Sequence, residues 1–192
     1  MNAHQRPADQ HPWVVVPGIW GSDPEHWQSR WQGERGASAV RIAPASWSEP
    51  DPRDWDRAIS VAVAACDRPP VLVAHSLGVL AAAHWLADHG DVEVVGAFLV
   101  APPDPTAPVF PEAARGFLAP SRPVVAPTAL VVSDDDPYCS AERAGQFAEV
   151  LGAGVLRVGA RQHVNVASGA WPEGRRLLDT FVAESVEGRP NG

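Results

Sequence analysis

The sequence predicts an α/β fold, a single domain in which a six-stranded parallel sheet carries helices on both faces. Three observations predict it. Strand-like and helical segments alternate from Trp13 to Ser185, the signature of a parallel sheet with crossover helices. The strand-like segments are short, continuous apolar runs, as expected of strands buried on both faces. And the run Val71-Leu-Val-Ala74 passes through His75-Ser76 directly into an alanine-rich helical stretch.

The elements follow in order. Trp13-Val-Val-Val-Pro17 is the first strand, ended by Pro17-Gly18. Asp23-Pro24 is a helix-start signal, with proline tolerated in the first turn, and Trp27 and Trp31 fall on one face of that helix. Ala39 to Ala43 is the second strand. Asp51-Pro52 repeats the start signal before a helix over 54–66, whose apolar stripe is Ile59, Val63 and Cys66. Pro70 to Ala74 is the third strand and 77–89 the next helix. Val92 to Val100, Thr128 to Ser133 and Gly154 to Val158 are strands four to six, and helices over 141–151 and 172–185 complete the set. The segment 101–127 holds eight prolines and little periodicity. A structureless connection of that length is usually functional, so it reads as a lid or pocket wall. The domain spans 13–187, with flexible tails over 1–12 and 188–192.

Composition narrows the function classes. With 192 residues, 45% apolar and 20% charged, the chain can bury a substantial core without metal or disulfide staples. A net charge of -8 and the lack of any basic run argue against nucleic acid and against an anionic membrane surface. No stretch is long and apolar enough to span a bilayer, and Met1 to Pro12 does not read as a signal peptide, so a cytoplasmic location is expected. Cys66 and Cys139 form no metal or redox motif. No Walker loop, dinucleotide fingerprint or metal-ligand spacing occurs, so neither a cofactor nor a metal is expected.

The chemistry concentrates around Ser76. A strand, a small–x–Ser–x–Gly turn (Ala74 to Gly78) and a helix in immediate succession are the context of a nucleophile elbow, which lifts the serine hydroxyl over the carboxyl edge of a sheet. The competing reading is a helix N-cap serine. An activated serine needs a base, and the base needs an orienting carboxylate, in the chain order serine, acid, histidine. His163 is the one histidine beyond the sixth strand. After the fifth strand come Asp134, Asp135 and Asp136. Asp136 is selected because Pro137 fixes the chain after it, with Asp134 as the alternative and Asp104 as a more distant one. Backbone N–H groups of Ile19 and Leu77 are the expected oxyanion-hole donors, with Trp20 second to Ile19. Trp20, Trp47, Pro102, Phe110 and Tyr138 are candidate walls of an apolar acyl pocket.

These residues together resemble a small serine-hydrolase family related to retinoblastoma-binding protein 9, within the α/β-hydrolase superfamily. The resemblance rests on Val16-Pro-Gly-Ile-Trp-Gly-Ser22 with Trp27, Trp47 with Asp54-Trp55, His75-Ser-Leu-Gly78 and Ala101-Pro-Pro-Asp-Pro105 with Phe110-Pro111. It continues through Ser133 to Pro137 and through His163 to Gly169 with Trp171-Pro172. It implies a compact sheet of strand order 2-1-3-4-5-6 with no cap domain, a triad of Ser76, Asp136 and His163, and activity on carboxylic esters. Ala74 departs from the superfamily's usual glycine. The Leu-x-Cys-x-Glu peptide associated with retinoblastoma-protein binding is missing around both cysteines, so that partner is not expected. The expected substrate is a small-molecule ester with a short acyl chain. The competing functions are a non-catalytic binding protein on the same scaffold and an acyltransferase using the same three residues.

Overall fold

A computed structural model describes residues 11–188. Strands β1 (Trp13–Val16), β2 (Ala39–Arg41), β3 (Val71–His75), β4 (Gly96–Val100), β5 (Thr128–Val132) and β6 (Gly154–Arg157) form one sheet in the order β2-β1-β3-β4-β5-β6. Every neighbouring pair is parallel. Helices α1 (Trp27–Arg35), α2 (Pro52–Ala64), α3 (Leu77–Asp88), α4 (Ala141–Leu151) and α5 (Pro172–Glu187) cover it.

Alternation along the strands divides the core in two. Val14, Val16, Leu72, Ala74, Leu99 and Leu130 pack with residues of α2, α3 and α4. Trp13, Val15, Val71, Val73, Phe98 and Val131 pack with residues of α1 and α5. Since successive strand side chains point to opposite faces, these clusters are the two sides of a three-layer sandwich. Both sides are apolar, which is why the central strands read as unbroken hydrophobic runs.

Several boundaries differ from the sequence reading. The first helix begins at Trp27, because Asp23-Pro24 enters a turn in which His26 N–H bonds Asp23 C=O and the His26 ring caps the helix instead. The fourth strand begins at Gly96, not Val92, since its ladder with β3 starts only at Val71↔Gly96 and the chain before it is still turning, Val92 N–H on His89 C=O. Pro12, assigned to the tail, is buried, and its carbonyl accepts Val71 N–H at 2.9 Å. The rest of that tail over 1–10, and 189–192 of the other, lie outside the described residues.

The proline-rich segment 101–127 packs onto the rest of the domain. Asp104 N–H bonds Tyr138 C=O, Phe117 packs edge-on against Trp55 at 5.4 Å, and a single 3-10 turn forms over Glu112–Ala114. No helix among the described residues is long and apolar enough to cross a membrane.

One contact governs how α3 meets the sheet. A Cβ on Gly78 would lie 2.3 Å from the Val16 carbonyl oxygen and 2.5 Å from that of Pro17, so the helix can sit this close to β1 only with glycine there. Gly78→Ala is expected to lower stability by about 1–3 kcal/mol or more, as overpacking against backbone does. The check is the urea midpoint at unchanged m-value.

Candidate active site

Ser76 stands between β3 and α3 with φ 55° and ψ -126°. A non-glycine residue there carries strain of about 1–3 kcal/mol. The surroundings hold it in place. Its N–H bonds the Val100 carbonyl at 3.0 Å, and a Cβ on Gly18 would come within 2.8 Å of the Ser76 Cβ. The Ser76 hydroxyl makes no capping bond to α3. It faces His163 instead.

The Asp136 carboxylate accepts from His163 Nδ1 at 2.8 and 3.0 Å. That places the imidazole proton on Nδ1 and leaves Nε2 to accept the Ser76 hydroxyl at 2.7 Å. The Asp136 side chain is only 4% exposed, so its pull on the imidazole is little screened by water. Asp136 also accepts Tyr138 N–H at 2.9 Å. The two alternative carboxylates are committed elsewhere. Asp134 pairs with Arg157, and Asp104 with Arg143 and Thr106.

The middle aspartate does something separate. Asp135 accepts the Gln162 N–H at 2.7 Å and the Ser133 hydroxyl at 2.9 Å. Ser133 Oγ in turn accepts Arg161 N–H at 2.9 Å. The Gln162 bond, then those from Ser133 and the neighbouring chain, hold the Asp135 carboxyl below the usual carboxylate range. The acid loop is thereby latched to the histidine loop. The latch matters because Gln162 and Val164 both have positive φ, 51° and 47°, on either side of His163. For a β-branched valine this is a strained conformation.

Two further bonds hold that loop. Trp27 Nε1 donates to the Val164 carbonyl at 2.8 Å, and His75 Nε2 donates to the His163 carbonyl at 2.9 Å. His26, His75 and His163 run as a row of tilted rings, 4.7 and 5.1 Å between centroids. Burial, and secondarily the positive charge that His163 and His26 can carry, holds His75 well below the ordinary histidine range. Burial, then Arg41 and His163, brings His26 down to about 4. Both are neutral at pH 7. The Cys139 thiol is pushed up to about 12 by burial and then by Asp104 and Asp136, so it offers no competing nucleophile.

A cavity of about 290 Å³ opens at this carboxyl edge of the sheet, lined by Ser76 and His163. Ile19 and Leu77 line it too, and among the described residues neither backbone N–H has a protein acceptor. Trp20 N–H is committed to the Trp47 carbonyl at 2.8 Å, which removes it as an alternative oxyanion donor. Of the expected pocket residues, Trp20, Phe110 and Tyr138 line the cavity. Trp47 and Pro102 do not. Trp47 packs edge-on against Trp55 and lies against Gly21, and Pro102 is buried while Pro103 takes its place on the wall. Sequence reasoning missed Ser22, Asp23, His26, Pro111, Asn165 and Val166 among the lining residues. No group of three or more His, Cys, Asp or Glu side chains among the described residues is arranged to hold a metal ion.

A sequence profile described as serine hydrolase matches residues 13–180. Among solved structures, the chain is similar to a YdeN-like hydrolase of Pectobacterium atrosepticum, with 33% identity over 93% of this chain and 94% of that one and a TM-score of 0.80. The ydeN gene product of B. subtilis shares the fold at 20% identity, covering 90% of this chain and 99% of its own, TM-score 0.68. So does Est1E of Butyrivibrio proteoclasticus, solved with ferulic acid bound, at 12% identity over 92% and 90% of the two chains, TM-score 0.71. A search of the curated proteins finds no match to this chain.

Two expectations follow from the geometry. Asp135→Ala releases one side of the strained histidine loop, and kcat/KM is expected to fall by about 10- to 100-fold, as misplacement on the ångström scale does. Asp134→Ala, which removes only an exposed ion pair, changes it little. Steady-state kinetics of the two variants side by side test this. The second concerns acid. Below pH 6.5 the unfolded chain protonates His26 and His75, whereas the folded chain protonates His26 only near pH 4 and holds His75 well below the ordinary histidine range. The stability from these depressed values is therefore complete above pH 6.5 and falls as pH drops, by about 1.4 kcal/mol per unit for each histidine. Urea unfolding between pH 6.5 and 4.5 should show this slope, and His26→Asn, which retains a cap acceptor, should remove one proton from it.

Proposed function

The chain belongs to the serine hydrolase family, and from that premise we propose that it cleaves carboxylic esters of small acyl groups through an acyl-enzyme on Ser76. The observation that carries the proposal is the unbroken hydrogen-bonded series from Asp136 through His163 to Ser76, 2.7 to 3.0 Å at each step. A serine that merely capped α3 would turn its hydroxyl to the helix N–H groups, and this one does not.

In the proposed reaction Ser76 Oγ attacks the ester carbonyl while His163 Nε2 takes its proton. Asp136 holds the imidazole in the Nδ1–H tautomer and stabilises the imidazolium that forms. Negative charge develops on the former carbonyl oxygen, toward which the Ile19 and Leu77 N–H groups supply preorganised donors. The positive end of α3 acts in the same direction. His163 then returns its proton to the departing alkoxide. Water, deprotonated by the same nitrogen, attacks the acyl-enzyme and regenerates Ser76.

Substrate size follows from the walls. A cavity of about 290 Å³, closed on one side by Phe110, Pro111 and Ala114, accommodates a short acyl chain better than a long one. Trp20, 66% exposed at the mouth, offers an aromatic surface for the alcohol portion. Two free cysteines are compatible with work in the reducing cytoplasm.

A fluorophosphonate probe with mass mapping tests the nucleophile. Wild type should label at Ser76, Ser76→Ala should not, and His163→Ala should label roughly 10⁶-fold more slowly. Failure of folded wild type to label would leave the scaffold as a binding protein. With p-nitrophenyl esters, kcat/KM should decline from butyrate to decanoate, and the reverse order would refute the short-acyl assignment.

A further inference from the structure

The charges around the cavity are arranged one-sidedly. Among the described residues that line it, Asp23 at the rim is the only charged side chain apart from the His163 imidazole during turnover. The remaining polar lining, Ser22, Asn165 and Tyr138, is uncharged, and Ile19, Leu77, Phe110 and Pro111 are apolar. Among the described residues, no arginine lines the space where an acyl group would sit.

This is not for want of arginines nearby. Arg41 is turned onto α1, bonded to Gln32 Oε1 at 2.6 Å and Ser29 Oγ at 2.8 Å. Arg143 pairs with Asp104, and Arg161 pairs with Glu173 at 2.6 Å. All 15 basic residues are arginines, so no flexible lysine is available to swing in. The two imidazoles that share the lining with His163 do not supply positive charge either, because burial keeps both neutral at pH 7.

We propose that the site selects its substrates by charge: it accepts esters whose acyl group is uncharged and rejects half-esters of dicarboxylic acids, with Asp23 as a discriminating residue. The proposal rests on the ester-hydrolase reading of the same site. A second carboxylate entering this cavity would lose hydration and find no partner cation, and a buried unpaired charge is strongly disfavoured. At the rim it would also meet the Asp23 carboxylate, in a protein whose net charge of -8 repels it on approach. Rejection through like charge and desolvation is specificity by repulsion, which needs no contact tailored to the preferred substrate.

The test compares 4-nitrophenyl butyrate with its ω-carboxylate counterpart, mono-4-nitrophenyl glutarate, using the Ser76→Ala protein to subtract background hydrolysis of each. The expected ratio of kcat/KM is about 100-fold or more in favour of the neutral ester. Asp23→Asn is expected to narrow that ratio several-fold. Comparable kcat/KM on the two esters, by an enzyme that a neutral fluorophosphonate labels at Ser76, overturns the proposal. An unchanged ratio in Asp23→Asn overturns the assignment to Asp23. If neither ester is turned over and Ser76 does not label, the ester-hydrolase reading itself falls, and this inference with it.

Discussion

Everything at the carboxyl edge depends on the reversal of the chain at Ser76. A strand must become a helix within one residue, and the only backbone that does so here places a serine at positive φ. Such a conformation persists only when its surroundings over-determine it. The determinants are two glycines on different segments. Gly78 allows α3 to press against the carbonyls that end β1, and Gly18 allows the loop after β1 to cross the Ser76 side chain. The same closeness sets Ile19 and Leu77 on the wall of the cavity that Ser76 lines. Strain and site share one cause.

The histidine is held by different means. His163 has no regular element to position it, so the loop around it is tied at several points: Asp135 on one side, Trp27 on the other, and His75 at its own carbonyl. Trp27 is itself fixed by aromatic packing, tilted against Trp31 at 4.5 Å and edge-on to Trp171 at 5.2 Å. Trp31 donates to the Ala170 carbonyl further along the same loop. Tryptophan suits this task because it combines a large apolar body with one directional donor. The run of three aspartates is accordingly three functions in sequence: an exposed ion pair, a latch and the partner of His163.

Keeping the neighbouring imidazoles neutral has a consequence for both stability and chemistry. Neutral His75 donates through Nε2 to the His163 carbonyl without placing a cation beside the His163 imidazole. Buried neutral histidines also make the fold sensitive to acid, since the unfolded chain takes up protons that the folded one refuses.

The order of elements, the parallel sheet, the elbow around Ser76 and the candidacy of His163 were legible in the sequence, because each is a local pattern: a hydrophobic period, a small residue two places from a serine, a position in chain order. Asp136 was legible from its proline, though local pattern left Asp134 and Asp104 as alternatives. The start of α1 misled, since Asp23-Pro24 carries a helix-start signal that the His26 ring takes over three residues later. Only the tertiary structure decided the rest. Which aspartate meets His163, that Asp135 latches the loop, that Pro103 rather than Pro102 forms the wall, and that Trp47 packs away from the cavity all depend on contacts between segments tens of residues apart. Propensity and period act within a few residues, whereas the direction of a side chain in a loop is settled by what the rest of the fold packs against it.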